Sequence, residues 1–200
     1  MIKLLDILLQ ENDEESILVP RRSPEERAKN YIIATNRKIQ QYIKDGGVGD
    51  LYLHGTPITS LPDNLKVGGN LNLSSTQITS LPAKLRVGGN LNLLSTQITS
   101  LPANLKVGGN LYLHSTQITS LPDNLKVGGD LYLSYIPITS LPANLRVGGN
   151  LNLHSTQITS LPADLEVASN LDLSSTPMSK SHTKEQIKQM APGVKGNIYL

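Results

Sequence analysis

Apolar residues recur along the middle of this chain with a period of 20. The pattern repeats without insertion or deletion from residue 50 to residue 169, and a seventh copy starts at residue 170 and breaks off near residue 180. In the copy that begins at residue 70, Leu71 and Leu73 alternate with polar residues. This period of two is typical of a half-buried strand, so we predict one strand in each copy.

Four more aliphatic positions recur in each copy at wider spacing. In the copy that begins at residue 70 they are Ile78, Leu81, Leu85 and Val87. All six aliphatic side chains of a copy can point inward only if its 20 residues form one closed coil. Pro82 and the pair Gly88–Gly89 leave little room for a helix on the back of that coil. Because one coil cannot bury its aliphatic residues alone, we predict stacked coils whose strands form a parallel sheet.

The repeat resembles the leucine-rich repeat family. The motif Leu71-x-Leu73-x-x-Thr76-x-Ile78 is similar to the family pattern L-x-L-x-x-N-x-L, with Thr where the family usually has Asn. The 20-residue length and the Leu-Pro dipeptide resemble a short bacterial class, and the Val-Gly-Gly segment resembles short repeat proteins of bacteria and their phages. The resemblance implies a solenoid with its parallel β-sheet on the concave face and a mostly irregular convex side.

The resemblance also gives a recurring Thr a structural interpretation. The family's Asn residues at this turn bond backbone groups of adjacent coils, and a Thr hydroxyl can do part of the same. We therefore predict a hydrogen-bond ladder between coils at Thr56, Thr76, Thr96, Thr116, Thr156 and Thr176, interrupted by Ile136.

The flanking segments predict caps for the two ends of the array. Ser23 and Glu26 form the capping box of a helix. Its expected apolar face consists of Ala28, Tyr31, Ile32, Thr35, Ile39, Tyr42 and Ile43. Thr183 begins a short helical insertion that ends near Met190. The predicted organisation is a mobile leader at 1–22, a helical N-terminal cap at 23–49, leucine-rich repeats at 50–180, and a C-terminal cap helix with a final strand at 181–200.

The composition excludes several classes of functional site and partner. The chain has no Cys, so disulfides, thiolate nucleophiles and Cys-bound zinc are excluded. The net charge is only +2, which gives no reason to expect a nucleic-acid partner. No run of residues approaches the roughly 18 apolar residues that a membrane span needs. We predict a cytoplasmic protein, in the host cytoplasm if a phage encodes it, with the virion as a second location.

The recurring polar residues do not predict an enzyme. His54, His114 and His154 share one outward column but lie three and two coils apart, roughly 14 and 10 Å at about 4.8 Å per coil, which is too far to share a zinc ion. No Gly-x-Ser-x-Gly elbow is present, and the Gly-Gly pairs lack the Lys of a phosphate loop. We predict no catalytic residues, no metal and no cofactor. A basic column is interpreted as a solvated face: Lys66, Arg86, Lys106, Lys126 and Arg146.

The outward strand positions are the candidate binding site, because they vary between copies whereas the inward positions hardly change. Their three columns begin at Asp50, Tyr52 and His54. Tyrosines on a concave polar surface are typical binding anchors. We predict a protein partner that contacts Tyr52, Tyr112, His114, Tyr132, Tyr135 and His154. The other interpretation is that the tyrosines only strengthen packing between strands.

Two other functions also fit the repeat. A regular solenoid is a rigid spacer, so the chain could be a structural or accessory component of a phage particle that attaches through its apolar leader. Its polar columns recur at about 4.8 Å, so it could instead bind a repetitive surface such as glycan or ice through Thr79–Ser80 and the equivalent pairs.

Overall fold

The structure, a computed structural model, describes residues 23–200; the predicted leader at 1–22 lies outside this range. One short strand from each coil joins a parallel eight-stranded sheet, which has the order β1 (Leu51–Tyr52), β3 (Leu71–Asn72), β5 (Leu91–Asn92), β7 (Leu111–Tyr112), β9 (Leu131–Tyr132), β11 (Leu151–Asn152), β13 (Leu171–Asp172) and β14 (Ile198–Tyr199). Residues 20 apart are paired, as in Leu51 with Leu71, and the C-terminal insertion lengthens the last step to Leu171 with Ile198. The predicted leucine-rich-repeat solenoid is confirmed.

A second parallel sheet, which the sequence did not predict, runs beside the first. Its six strands are β2 (Lys66–Val67), β4 (Arg86–Val87), β6 (Lys106–Val107), β8 (Lys126–Val127), β10 (Arg146–Val147) and β12 (Glu166–Val167). The valines are buried and the charged residues are exposed. The Val-Gly-Gly segment therefore contributes a strand of its own, and only the rest of each coil's back is irregular.

The interior is aliphatic, as the repeat predicts. Leu71, Leu73 and Ile78 are fully buried, and the equivalent residues of the other copies are buried as well. One column lies at the edge of the core, since Leu81 and Leu161 are only half-buried. Each coil exposes these side chains when alone, so burial depends on the neighbouring coils.

The N-terminal end of the array is covered by helix α1 (Pro24–Lys44). The predicted capping box is present, because Ser23 Oγ accepts from the Glu26 N–H and the Glu26 carboxylate accepts from the Ser23 N–H. Lys38 Nζ donates to the carbonyl of Tyr52 at 2.6 Å and so bonds the outer edge of β1.

The expected apolar face of α1 is only partly right. Thr35 and Ile39 are buried and Tyr42 is half-buried. The remaining members of that face are exposed, namely Ala28, Tyr31, Ile32 and Ile43. The end of a solenoid is narrow, and it covers a stripe of the helix rather than the wide face that the periodicity indicated.

Two short helices precede β14. Helix α2 (Pro177–Ser181), which was not predicted, starts at Thr176, whose hydroxyl accepts from the Ser179 N–H. Helix α3 (Lys184–Met190) starts at Thr183 as predicted and contacts β14. Among the helices of residues 23–200, none combines the length and hydropathy of a membrane span.

Candidate functional site

The first outward column of the eight-stranded sheet joins the coils to one another. Asn70 Oδ1 accepts from the backbone N–H of Asn90 at 2.8 Å. The same bond recurs at every step of the array, from Asp50 with Asn70 at 2.7 Å to Asn170 with Asn197 at 2.8 Å. This column is one of the three outward columns that we predicted to form the binding face. Its side-chain oxygens instead form the ladder between coils.

The recurring threonines do not form that ladder, so this prediction was wrong. Thr76 Oγ1 donates to the carbonyl of Leu73 in its own coil at 2.7 Å, and the other five threonines make the same bond. In the fifth copy, Ile136 is buried without a hydroxyl, and its backbone N–H donates to the Leu133 carbonyl at 3.4 Å. The Thr column therefore closes turns within coils.

The ladder of side-chain oxygens can be tested by two substitutions at Asn90, one of which serves as the control. We expect Asn90→Ala to lower the free energy of unfolding by about 1–3 kcal/mol, because the Asn110 N–H then loses its acceptor. Asn90→Asp keeps an acceptor oxygen, as Asp50 and Asp130 do elsewhere in the column, and should cost less than about 1 kcal/mol. Chemical denaturation of both variants measures the difference, and equal losses would contradict the ladder.

Tyr112 and Tyr132 form a parallel stack in the second outward column. Their ring centroids are 4.8 Å apart and their planes differ by 4°. Each hydroxyl bonds the first column, since Asn110 Nδ2 donates to Tyr112 at 3.0 Å and Tyr132 donates to Asp130 at 3.0 Å. Burial, followed by the bond to Asp130, raises the pKa of Tyr132, so this hydroxyl stays protonated at neutral pH. Both rings are half-buried and keep one side open on the strand face.

Tyr135 and His154 make a second aromatic contact, in the next coil step. Their ring centroids are 5.3 Å apart at 79°, an edge-to-face arrangement. Tyr135 is 66% exposed. His154 Nδ1 lies 2.9 Å from Ser174 Oγ, which in turn donates to the carboxylate of Asp172. These bonds fix the imidazole against which Tyr135 packs.

The structure brings five of the six predicted site residues together and leaves one apart. His114 lies half-buried in the same coil as Tyr112, and the five residues occupy the three successive coils that begin at residues 110, 130 and 150. We call Tyr112, His114, Tyr132, Tyr135 and His154 the tyrosine cluster.

Tyr52 lies outside the cluster, three coils before Tyr112. Its hydroxyl donates to Asp50 at 2.6 Å. The backbone N–H of Asn70, then the Tyr52 hydroxyl, lower the pKa of Asp50, and the same hydrogen bond raises the pKa of Tyr52. Tyr52 therefore binds its own coil rather than extending the cluster.

The basic column lies on the second sheet, away from the tyrosine cluster. Its side chains are exposed, and Arg146 pairs with Glu166 at 2.9 Å, with both side chains about half exposed. An ion pair that is this exposed to water contributes little to the stability of the fold. The shallow groove over this sheet also contains Asp123, which offsets part of the positive charge. Within residues 23–200 no group of three or more His, Cys, Asp or Glu side chains is placed to hold a metal ion.

The stacked coils, the two parallel sheets and the helical ends define the fold: a leucine-rich-repeat solenoid. A solved structure with the same fold is described as "Structure of Shigella effector LRR domain"; it is 19% identical, covers 98% of this chain and 97% of its own, and aligns with a TM-score of 0.52. No family model matches this chain. No curated protein matches it either. The likeness to the Shigella domain concerns the fold.

Proposed function

We propose that this chain is a non-enzymatic binding module that recognises a protein partner through the concave face of the eight-stranded sheet. The tyrosine cluster is the contact site. Leucine-rich-repeat solenoids are common scaffolds for protein interaction, and in this cluster the rings of neighbouring coils contact one another on that face. Tyrosine offers a large, rigid contact area and loses little conformational entropy on binding.

Tyr135 is the observation that carries the proposal. Its backbone has φ +61°, in the left-handed region that a bulky residue rarely adopts. The other copies place a small residue at this turn: Gly55, Ser75, Ser95, Ser115, Ser155 and Ser175. The left-handed conformation costs roughly 1–2 kcal/mol for a residue with a Cβ, and the exposed ring adds nothing to the aliphatic core. The five serines adopt the same conformation, so this cost belongs to the turn; what distinguishes this copy is an exposed ring in place of a small residue, and that supports a role outside folding.

The test compares capture by wild-type protein and by variants that borrow residues from other copies. The site variant is Tyr112→Asn with Tyr132→Asn and Tyr135→Ser, because these are the residues of the copy that begins at residue 70. We expect a partner purified with the wild-type chain from host lysate to be lost at least 30-fold, because anchor residues are each worth about 2 kcal/mol or more. Quantitative mass spectrometry gives the ratio.

Lys126→Gln is the control, because it changes an exposed side chain on the second sheet in the same coil as Tyr112, away from the tyrosine cluster. It should capture the same partner as wild type. Circular dichroism establishes that all three proteins are folded. Undiminished capture by the folded site variant would reject the tyrosine cluster as the contact site.

The origin and location of the protein are part of the same proposal. Its Leu-Pro and Val-Gly-Gly signatures support membership of the short bacterial or phage class, acting in the cytoplasm. The two alternatives have less support. Attachment to a phage particle was assigned to residues 1–22, outside the described range. Thr79 and Ser80 are exposed, as are their equivalents, but they lie in irregular backbone instead of the flat strands that a repetitive surface requires.

A further inference from the structure

Where the second outward column, which begins at Tyr52, holds Asn or Asp, the side-chain oxygen accepts a hydrogen bond from a backbone N–H of the same coil. Asn72 Oδ1 accepts from the N–H of Ser74, two residues later, at 3.0 Å. The equivalent bonds join Asn92 to Leu94, Asn152 to His154 and Asp172 to Ser174, each at 2.9 Å. Ser74, Leu94, His154 and Ser174 belong to the third outward column, which begins at His54. In these four coils the third-column residue therefore has an acceptor for its N–H within its own coil.

The carbonyls of these same third-column residues are also bonded. Each accepts an N–H from the preceding coil: Gly55 to Ser74 at 2.9 Å, Ser75 to Leu94 at 2.9 Å, Tyr135 to His154 at 3.2 Å and Ser155 to Ser174 at 3.0 Å. Coils with Asn or Asp in the second column thus leave no open backbone group at this point of the concave face.

The three coils that begin at residues 50, 110 and 130 have Tyr in the second column and break this pattern, and the last two are those of the tyrosine stack. The hydroxyls of Tyr112 and Tyr132 bond Asn110 and Asp130, which lie two residues before them, so neither side chain turns toward the residue two positions later. In the part of the chain that the structure describes, no protein group accepts the N–H of His114 or Ser134.

These open donors are clustered. His114 and Ser134 occupy adjacent coils, so their N–H groups lie about 4.8 Å apart. The Ser134 hydroxyl is a further donor, because its equivalents in Ser74 and Ser174 donate to the second-column oxygen that is missing here. Three donors without an internal acceptor therefore lie beside the stacked rings. Both residues are half-buried at the open strand face, and their carbonyls likewise accept no N–H from the described residues, so these groups are within reach of a bound segment.

We infer that the two N–H groups receive a carboxylate oxygen from an Asp or Glu side chain of the bound segment. The inference rests on the proposed function and names the chemistry of the partner. The protein itself contains the fitting acceptor, since the Asp172 carboxylate accepts both the N–H and the hydroxyl of Ser174. At His114 and Ser134, a carboxylate of the partner supplies the acceptor oxygen that the second column lacks there. A neighbouring apolar side chain of the partner packs on the open side of the tyrosine stack. Hydrogen bonds to an ionised acceptor are about twice as strong as neutral ones.

Acetate is the probe that tests this site. We expect sodium acetate to shift the amide ¹H–¹⁵N resonances of His114 and Ser134 in a saturable way, with sodium chloride at equal ionic strength as the reference. The amides of Ser74 and Ser174 should not shift, because Asn72 and Asp172 already bond them. Without acetate, the His114 and Ser134 amides should exchange with solvent at least tenfold faster than those two.

A pair of variants separates the open donors from the rings. Tyr112→Asn with Tyr132→Asn supplies the missing acceptors and should abolish the acetate shifts. Tyr112→Ala with Tyr132→Ala removes the same rings but supplies no acceptor, and should keep the shifts. Absent shifts in wild type, slow exchange of both amides, or equal behaviour of the two variants would each overturn the carboxylate site. Partner capture through the rings would then stand or fall by its own experiment.

Discussion

Gly128→Val should lower the free energy of unfolding by about 3 kcal/mol, the upper end of the usual cost of overpacking. A Cβ at Gly128 would overlap the carbonyl oxygen of Gly108 in the preceding coil. The coils cannot separate to make room, because the Gly128 N–H donates to the Val107 carbonyl at 3.0 Å. Denaturant unfolding followed by circular dichroism measures the loss.

Val48→Gly is the matched control, because Val48 begins the same column and has no coil before it. Its side chain is 79% exposed. The change should alter stability by less than about 1 kcal/mol, as is usual for an exposed position. If Gly128→Val and Val48→Gly changed the free energy of unfolding by similar amounts, close approach of successive coils would not explain why Gly recurs at this position of the repeat.

Leu113→Ala is expected to cost about 3–4 kcal/mol, the range typical of a Leu removed from a packed core. Leu113 is fully buried in a middle coil, so the surrounding aliphatic residues cannot collapse into the space without moving two neighbouring coils. Stability should be followed by two probes, since an array can unfold in parts and a single transition would then misstate the free energy.

Leu94→Ala is the control for Leu113→Ala, because it makes the same replacement at an outward position. Leu94 occupies the outward column that holds His114 and Ser134 in the next two coils, and it is half-buried. Truncation there should cost less than about 1 kcal/mol because water already reaches the side chain. A loss as large as that of Leu113→Ala would contradict the assignment of inward and outward faces.

The repeat by itself was sufficient to predict the solenoid. Leu71 and Leu73 alternate with polar residues, so their inward direction follows from strand geometry alone. The equal length of the copies then places equivalent residues side by side, which is why the sequence predicts that Tyr112 and Tyr132 are neighbours. Local signals also located the start of two helices, at Ser23 and Thr183, because a capping box depends on residues only three positions apart.

The tertiary structure decided which polar groups bond which neighbours. Sequence spacing could not tell that Asn70 reaches the next coil whereas Thr76 bonds its own, since both positions repeat every 20 residues. It also missed the second sheet, because a strand of two residues such as Lys66–Val67 has too short a pattern to recognise and exists only through pairing with other coils.

The same distinction applies to the binding face. The chain determined by itself where aliphatic residues lie and which strand positions carry rings, because these depend on period and register. Only the stacked coils determined that the tyrosine hydroxyls turn toward Asn110 and Asp130 and leave the amides of His114 and Ser134 open. A hydrogen bond requires a donor and an acceptor about 3 Å apart, and neither the period nor the register of the repeat sets those distances before the coils pack.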